Sequence, residues 1–195
     1  MRVIVYDKNP GPGIAQWALK MTWVIGCWIQ KLLGAADEVY GAASWDDAMA
    51  WLLSRSKPLE SIQFWGHGSP GLLWNGGVPV NESRFMPLKS VITEKTVVWF
   101  RACSVFQGRR GYDFSERLAN GLGCIVAAHT RIIGFFQGGL YARHPGSEPG
   151  WSITEGEVEP PTWWSRLGLQ WGNRTVICFA TKIPARWLDK PLGLI

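Results

Sequence analysis

Ile62-Gln63-Phe64-Trp65-Gly66-His67-Gly68 and Val97-Val98-Trp99-Phe100-Arg101-Ala102-Cys103 are built alike: an apolar run with a reactive side chain just past its end. Short runs of β-branched and aromatic residues bounded by glycine or turn residues read as buried strands. In an open parallel sheet, ligand sites lie beyond the carboxyl ends of the strands. If these two strands are neighbours, an imidazole and a thiol emerge at one edge. A thiol is a strong nucleophile as thiolate, and a nearby imidazole can take its proton or stabilise its charge. The oxyanion formed on attack needs N–H donors. Glycine after the histidine leaves the Gly68 amide unobstructed, and the Cys103 amide is the second candidate.

Outward from these blocks, strands alternate with helices. Arg2–Tyr6 is a first strand, ended by Asn9-Pro10-Gly11-Pro12-Gly13. From Ile14 to Leu33 apolar residues recur at helical spacing, and Gly34 supplies the C-terminal stop. Glu38–Ala42 is a second strand. Ser44 caps a helix running to about Ser54, with Asp46 and Asp47 at the positive end of its dipole. Ser69–Pro79 is a Gly/Pro-rich stretch, and Arg84–Ile92 a short helix. Thr96–Phe100 is a buried strand, Asp113–Leu122 a helix, and Cys124–Ala128 another strand. Gly138–Gly172, punctuated by Pro145-Gly146, Pro149-Gly150 and Pro160-Pro161, reads as long loops over the sheet. Thr175–Thr181 reads as one last strand. The alternation predicts one α/β domain over residues 1–195 with a mainly parallel sheet.

Composition narrows the function. Hydrophobic residues make up 47% and charged ones 18%, which suits a globular chain and not a disordered one. The net charge is +5, with Lys and Arg scattered and no basic stripe of the kind nucleic-acid binders show. Thirteen Trp residues point to a Trp-rich core, or to an aromatic contact surface at Trp151–Trp171. Cys27, Cys103, Cys124 and Cys178 form no Cys-x-x-Cys motif, and three of them sit in apolar runs. That pattern fits reduced thiols and a cytoplasmic setting. No metal site and no cofactor is expected, since the His and Cys spacings match no zinc pattern. Lys20 and Lys31 interrupt the 14–33 segment, so a core helix is expected there and not a membrane span, with association of this helix with a membrane surface the weaker alternative.

The order of the two blocks, an apolar strand ending in His-Gly and then one ending in Ala-Cys, resembles the caspase-like cysteine peptidases. That resemblance implies a three-layer sandwich with His67 as catalytic base, Cys103 as nucleophile, and the amides of Gly68 and Cys103 as the oxyanion hole. A closer similarity is to bacterial domains that share His-Gly-Ser-Pro-Gly, here His67–Gly71, followed by Cys103, Gly111, Phe114 and Leu118-Ala119. It covers Ser61 to Gly134, roughly the middle of the chain. It further implies that Arg101, two residues before the nucleophile, lines the substrate pocket. A guanidinium there would favour an Asp or Glu substrate residue; pairing with a structural carboxylate is the alternative. Ser69 and His129 are further candidates for substrate contact, His129 being equally suited to a structural role.

The expected function is therefore a cysteine endopeptidase or amidase acting on a protein or peptide. A catalytically inactive caspase-like module that binds a protein partner is the alternative.

Overall fold

Residues in a strand point alternately to the two faces of its sheet, so each apolar run must be covered on both sides. The computed structural model describes residues 1–157 and 162–188. The chain runs β1 (Arg2–Asp7), α1 (Ile14–Leu32), β2 (Glu38–Ala42), α2 (Trp45–Leu53), β3 (Leu59–Trp65), β4 (His67–Ser69), β5 (Leu72–Asn75), β6 (Val78–Val80), β7 (Ile92–Arg101), α3 (Gly108–Leu122), β8 (Ile125–His129), β9 (Phe136–Gln137), β10 (Leu140–Arg143), α4 (Trp163–Arg166) and β11 (Val176–Ile177). Tighter 3-10 helices occupy Glu82–Ser90 and Ala185–Trp187.

The main sheet has the order β10-β8-β7-β3-β1-β2. Five strands are parallel, and β10 joins β8 as an antiparallel edge. One face carries the principal core. Ile62 and Phe64 of β3 and Val98 and Phe100 of β7 pack there with Trp45 and Leu52 of α2, Phe85 of the first 3-10 helix, and Phe114 and Leu118 of α3. The opposite face carries α1, through Trp23 and Cys27 against Ile4 and Trp65, and the segment bearing Val176 and Ile183 against Trp99 and Leu140. Helices on both faces of a mainly parallel sheet make a three-layer α/β arrangement.

Local signals act as their chemistry requires. Ser44 caps α2 by accepting from the Asp47 N–H, and Gly123 ends α3 in a left-handed conformation. Five readings are changed by the structure. The helix expected at Arg84–Ile92 is a 3-10 helix over Glu82–Ser90, with Pro87 inside it. The Ser69–Pro79 stretch is folded: β4, β5 and β6 form a small antiparallel sheet. Gly76 and Gly77, at φ 58° and 75°, make the two-residue turn between Asn75 and Val78. Within 138–172, Leu140–Arg143 is the sheet edge, and Pro160-Pro161 lies outside the described residues. The expected strand Thr175–Thr181 shrinks to Val176–Ile177, because the carbonyls that follow are taken by a side chain rather than by a neighbouring strand. Finally, α1 is a one-sided helix, burying Trp23, Gly26, Cys27 and Gln30.

Candidate functional site

Strands β3 and β7 are direct neighbours with Trp65 opposite Arg101. The next two residues of each, Gly66-His67 and Ala102-Cys103, therefore leave the sheet at the same carboxyl edge. The two loops touch. A Cβ on Gly68 would lie 2.6 Å from the Cys103 carbonyl oxygen, 2.7 Å from Val105 and 2.9 Å from Ala102. Only glycine lets the histidine loop close on the cysteine loop at that point. Gly71 continues the contact, donating its N–H to the Val105 carbonyl at 3.0 Å from a left-handed conformation. Gly111, at the start of α3, has no room for a Cβ against Phe106 and Val105. Gly68, Gly71 and Gly111 thus weld the two loops and the following helix together.

His67 faces α1. Its Nε2 pairs with Gln16 Oε1 at 2.8 Å, and its ring meets Trp23 edge-on at 5.3 Å. Cys103 is half-buried against the loop after β8. Its Sγ accepts from the Ile133 N–H at 3.5 Å and faces the Ile133 carbonyl at 3.7 Å. Ser104 follows in a left-handed conformation at φ 57°, with its N–H on the Arg131 carbonyl. For a residue other than glycine this is strained by about 1 kcal/mol or more, and it turns the chain sharply just after the sulfur. A cavity of about 230 Å³ adjoins this turn, lined by Ser104, Gln107, Arg131, Ile132, Gly156 and Gln170 among others.

Burial pulls His67 below the usual imidazole range, opposed by the negative charge of Asp7. Burial also pushes the Cys103 thiol up, opposed by the Ile133 N–H. The resting pair is accordingly a neutral imidazole and a protonated thiol. Asp7, at the end of β1, was missed as a site residue. Its Oδ1 accepts from the Asn9 and Gly76 N–H groups at 2.8 and 3.2 Å, while its buried Oδ2 has no hydrogen-bond partner among the described residues. Tyr6 lies opposite Trp65, which sets Asp7 beside Gly66, next to His67. The signal was available, since Asp7 ends a strand at the same edge as the pair. Gln16 and Trp23 could be found only once α1 had been placed over this face.

Two expected substrate contacts are placed elsewhere. Arg101 is buried, with its guanidinium centred 4.3 Å from both the Trp65 and Trp99 rings. Its Nε and Nη2 donate to Gln137 Oε1 at 3.0 and 2.7 Å. Nη2 also reaches the Cys178 carbonyl at 2.7 Å, and Nη1 the Ala180 carbonyl at 2.8 Å. Burial pulls this group down to about 9, so it stays charged at neutral pH. Its partners are an amide and carbonyls rather than a carboxylate. His129 is sealed in the interior: Nε2 accepts from Trp99 Nε1 at 3.3 Å, and Nδ1 faces the Gly138 carbonyl at 3.1 Å. Burial holds it neutral, at about 3. Both ring nitrogens are committed, so of the two roles expected of His129 the geometry fits the structural one rather than substrate contact. Ser69 ends β4, two residues after His67, and its Oγ accepts from Trp74 Nε1 at 3.4 Å.

No family model matches the sequence, and no curated protein matches it. Among solved structures the chain is similar to a secreted C11 cysteine protease from Bacteroides thetaiotaomicron, in complex with an irreversible peptide inhibitor. The TM-score is 0.43 and the identity 13%, over 68% of this chain and 49% of that one. The chain thus spans about half the length of that protease.

Proposed function

We propose that this chain is a caspase-like cysteine peptidase or amidase, with Cys103 as nucleophile and His67 as its base. One observation carries the reading: Gly68 seats the His-Gly loop directly on the Ala-Cys loop, at the ends of two adjacent parallel strands. In the proposed reaction His67 accepts the Cys103 proton as sulfur attacks the substrate carbonyl. The S–C bond forms, and the oxyanion takes N–H donation from Gly68 and Cys103. Collapse breaks the C–N bond, His67 returns the proton to the leaving amine, and water then hydrolyses the thioester. The substrate chain enters along Ser69 and the cavity beside Ser104. A preference for Asp or Glu would require the 176–180 segment to release Arg101. Faster cleavage after Lys or Arg refutes that preference. The four free thiols support a reducing, cytoplasmic setting.

Cys103→Ala should abolish hydrolysis of peptide substrates while leaving the fold intact. Iodoacetamide should label Cys103 ahead of Cys27, Cys124 and Cys178, because burial suppresses the first two of those strongly. Equal labelling of all four thiols in the folded protein would reject an active nucleophile. The second reading is a non-catalytic module that binds a protein partner. It is favoured by the protonated thiol and by Trp163, Trp164 and Trp171, which are all exposed. Partner binding that survives Cys103→Ala and is lost on deletion of 162–171 would support it.

A further inference from the structure

We infer that the outer face of α1 docks on an anionic membrane surface, with the helix lying in the interface plane. Residues 14, 17, 21, 25, 28 and 32 step along one side of a helix at three- and four-residue intervals. Ile14 is 88% exposed, Trp17 63%, Ile25 53%, Trp28 48% and Leu32 84%, and Leu33 beyond the helix end is 65% exposed. The buried residues Trp23, Gly26, Cys27 and Gln30 occupy the opposite side. An apolar ridge of this extent on the outside of a folded chain marks an interaction site. The earlier expectation against membrane contact rested on α1 being a core helix, and its exposed side removes that premise.

Three observations favour lipid over a protein partner. First, the ridge offers no hydrogen-bonding group except the indole N–H of Trp17 and Trp28. A protein interface carries directional polar contacts over its area, whereas the acyl boundary of a bilayer needs none, and Trp suits its headgroup level. Second, the charge is one-sided. Residues 14–36 contain Lys20 and Lys31 and no Asp or Glu. The Lys31 ammonium sits 5.0 Å over the Trp28 ring, so a cation and an interfacial aromatic are presented together. Third, among the described residues no helix is long and apolar enough to cross a membrane. An apolar face with cationic flanks then belongs on the surface. Because α1 supplies Gln16 and Trp23 to His67 from its opposite side, docking would hold the candidate site one helix diameter, ~10 Å, from the lipid.

The test is co-flotation of the full chain with phosphatidylcholine vesicles, with and without phosphatidylglycerol. Wild-type protein is expected to float with the anionic vesicles. Combining Trp17→Ser, Ile25→Ser and Leu32→Ser should weaken that binding on the order of 100-fold, since three large apolar side chains leave the interface. All three are exposed, so the melting temperature should hold. Independently, Lys20→Gln with Lys31→Gln should weaken binding to the anionic vesicles by about tenfold or more and leave neutral vesicles unaffected. Wild-type protein that floats with neither vesicle, or a triple variant that floats as wild type does, overturns the proposal. So does light scattering that shows a wild-type dimer dissociated by the triple variant, which would assign the ridge to a second copy of the chain.

Discussion

The two faces of the sheet are filled by opposite chemistry. On the α2–α3 face, Phe64, Phe85, Phe100 and Phe114 interlock with ring centroids 5.2 to 6.0 Å apart, and aromatic and aliphatic side chains dominate the packing. On the α1 face a buried polar chain runs through the sheet. Gln30 donates to the Ala180 carbonyl, Gln63 donates to Gln30, Trp65 donates to Gln63, and Arg101 donates to Gln63 and Gln137. Alternation along β3 and β7 explains the split, because Gln63 and Trp65 share a side with Trp99 and Arg101. His67 meets α1 on that same side. The proposed base therefore sits on the face whose packing depends on geometry rather than on volume. Apolar cores tolerate volume-conserving swaps, while a polar network partly deprived of partners does not.

That contrast is most open to attack at two adjacent residues of β7. Phe100→Leu should cost under about 1.5 kcal/mol, since the neighbouring rings can repack. Arg101→Lys should cost about 3 kcal/mol, although it keeps the charge. An ammonium cannot span the Gln137, Cys178 and Ala180 oxygens together, and the oxygens it abandons stay buried. Urea unfolding of the two variants decides it. Equal losses would mean that the guanidinium fork is not what organises this face.

The contrast sharpens with pH. His129 is held at about 3 by burial, against about 6.5 in an unfolded chain. A depressed folded value means that its contribution to stability is complete above about pH 6.5 and is lost as the pH falls from there toward 3. His129→Gln removes the titration while keeping a donor and an acceptor. At pH 5 the wild type should have lost about 2 kcal/mol more than the variant, relative to neutral pH. Unfolding curves at the two pH values measure this, and parallel losses would show that His129 is solvated or charged in the native state.

The two faces were also unequally legible. The apolar face follows from the periodicity of Ile62, Phe64, Val98, Phe100, Phe114 and Leu118. Ser44, Gly34 and Gly123 mark helix ends by local chemistry alone. The register that ends the His67 and Cys103 strands at one edge of the sheet could be anticipated from two similar strand-end blocks. The polar face could not. Gln137, Cys178 and Ala180 lie far along the chain from Arg101, and nothing local to any of them announces a shared hydrogen bond. Arg101 read as a free recognition group because its long-range partners were invisible. The Gly/Pro-rich stretch after Ser69 gave no strand signal because glycine and proline hid a two-residue hairpin turn. Helical spacing in α1 was plain, but spacing on every side gives no indication of which side is buried.

A smaller effect tests the apolar face for its independence of the site. Ser44→Ala removes the hydroxyl that accepts from the Asp47 N–H and should cost about 1 kcal/mol. Helix α2 packs on the phenylalanine side, so peptide hydrolysis by the folded variant should be unchanged. A change in turnover without a matching loss of stability would couple the two faces.

The finest distinction lies at Asp7, where the polar face meets the proposed base. Its carboxylate is the charge that opposes the burial-driven fall of the His67 value. Asp7→Asn keeps a side-chain carbonyl for the Asn9 and Gly76 N–H groups and deletes the charge. His67 should then titrate at lower pH still, because nothing offsets its desolvation. The proposed base is active when neutral, so the acidic limb of the kcat/KM profile should move to lower pH in the variant, with the alkaline limb little affected. The shift is expected to be modest, because burial also raises Asp7 itself. A structural role for Asp7 would lower activity uniformly across the profile. Movement of the acidic limb to higher pH would mean that the group being titrated is not His67.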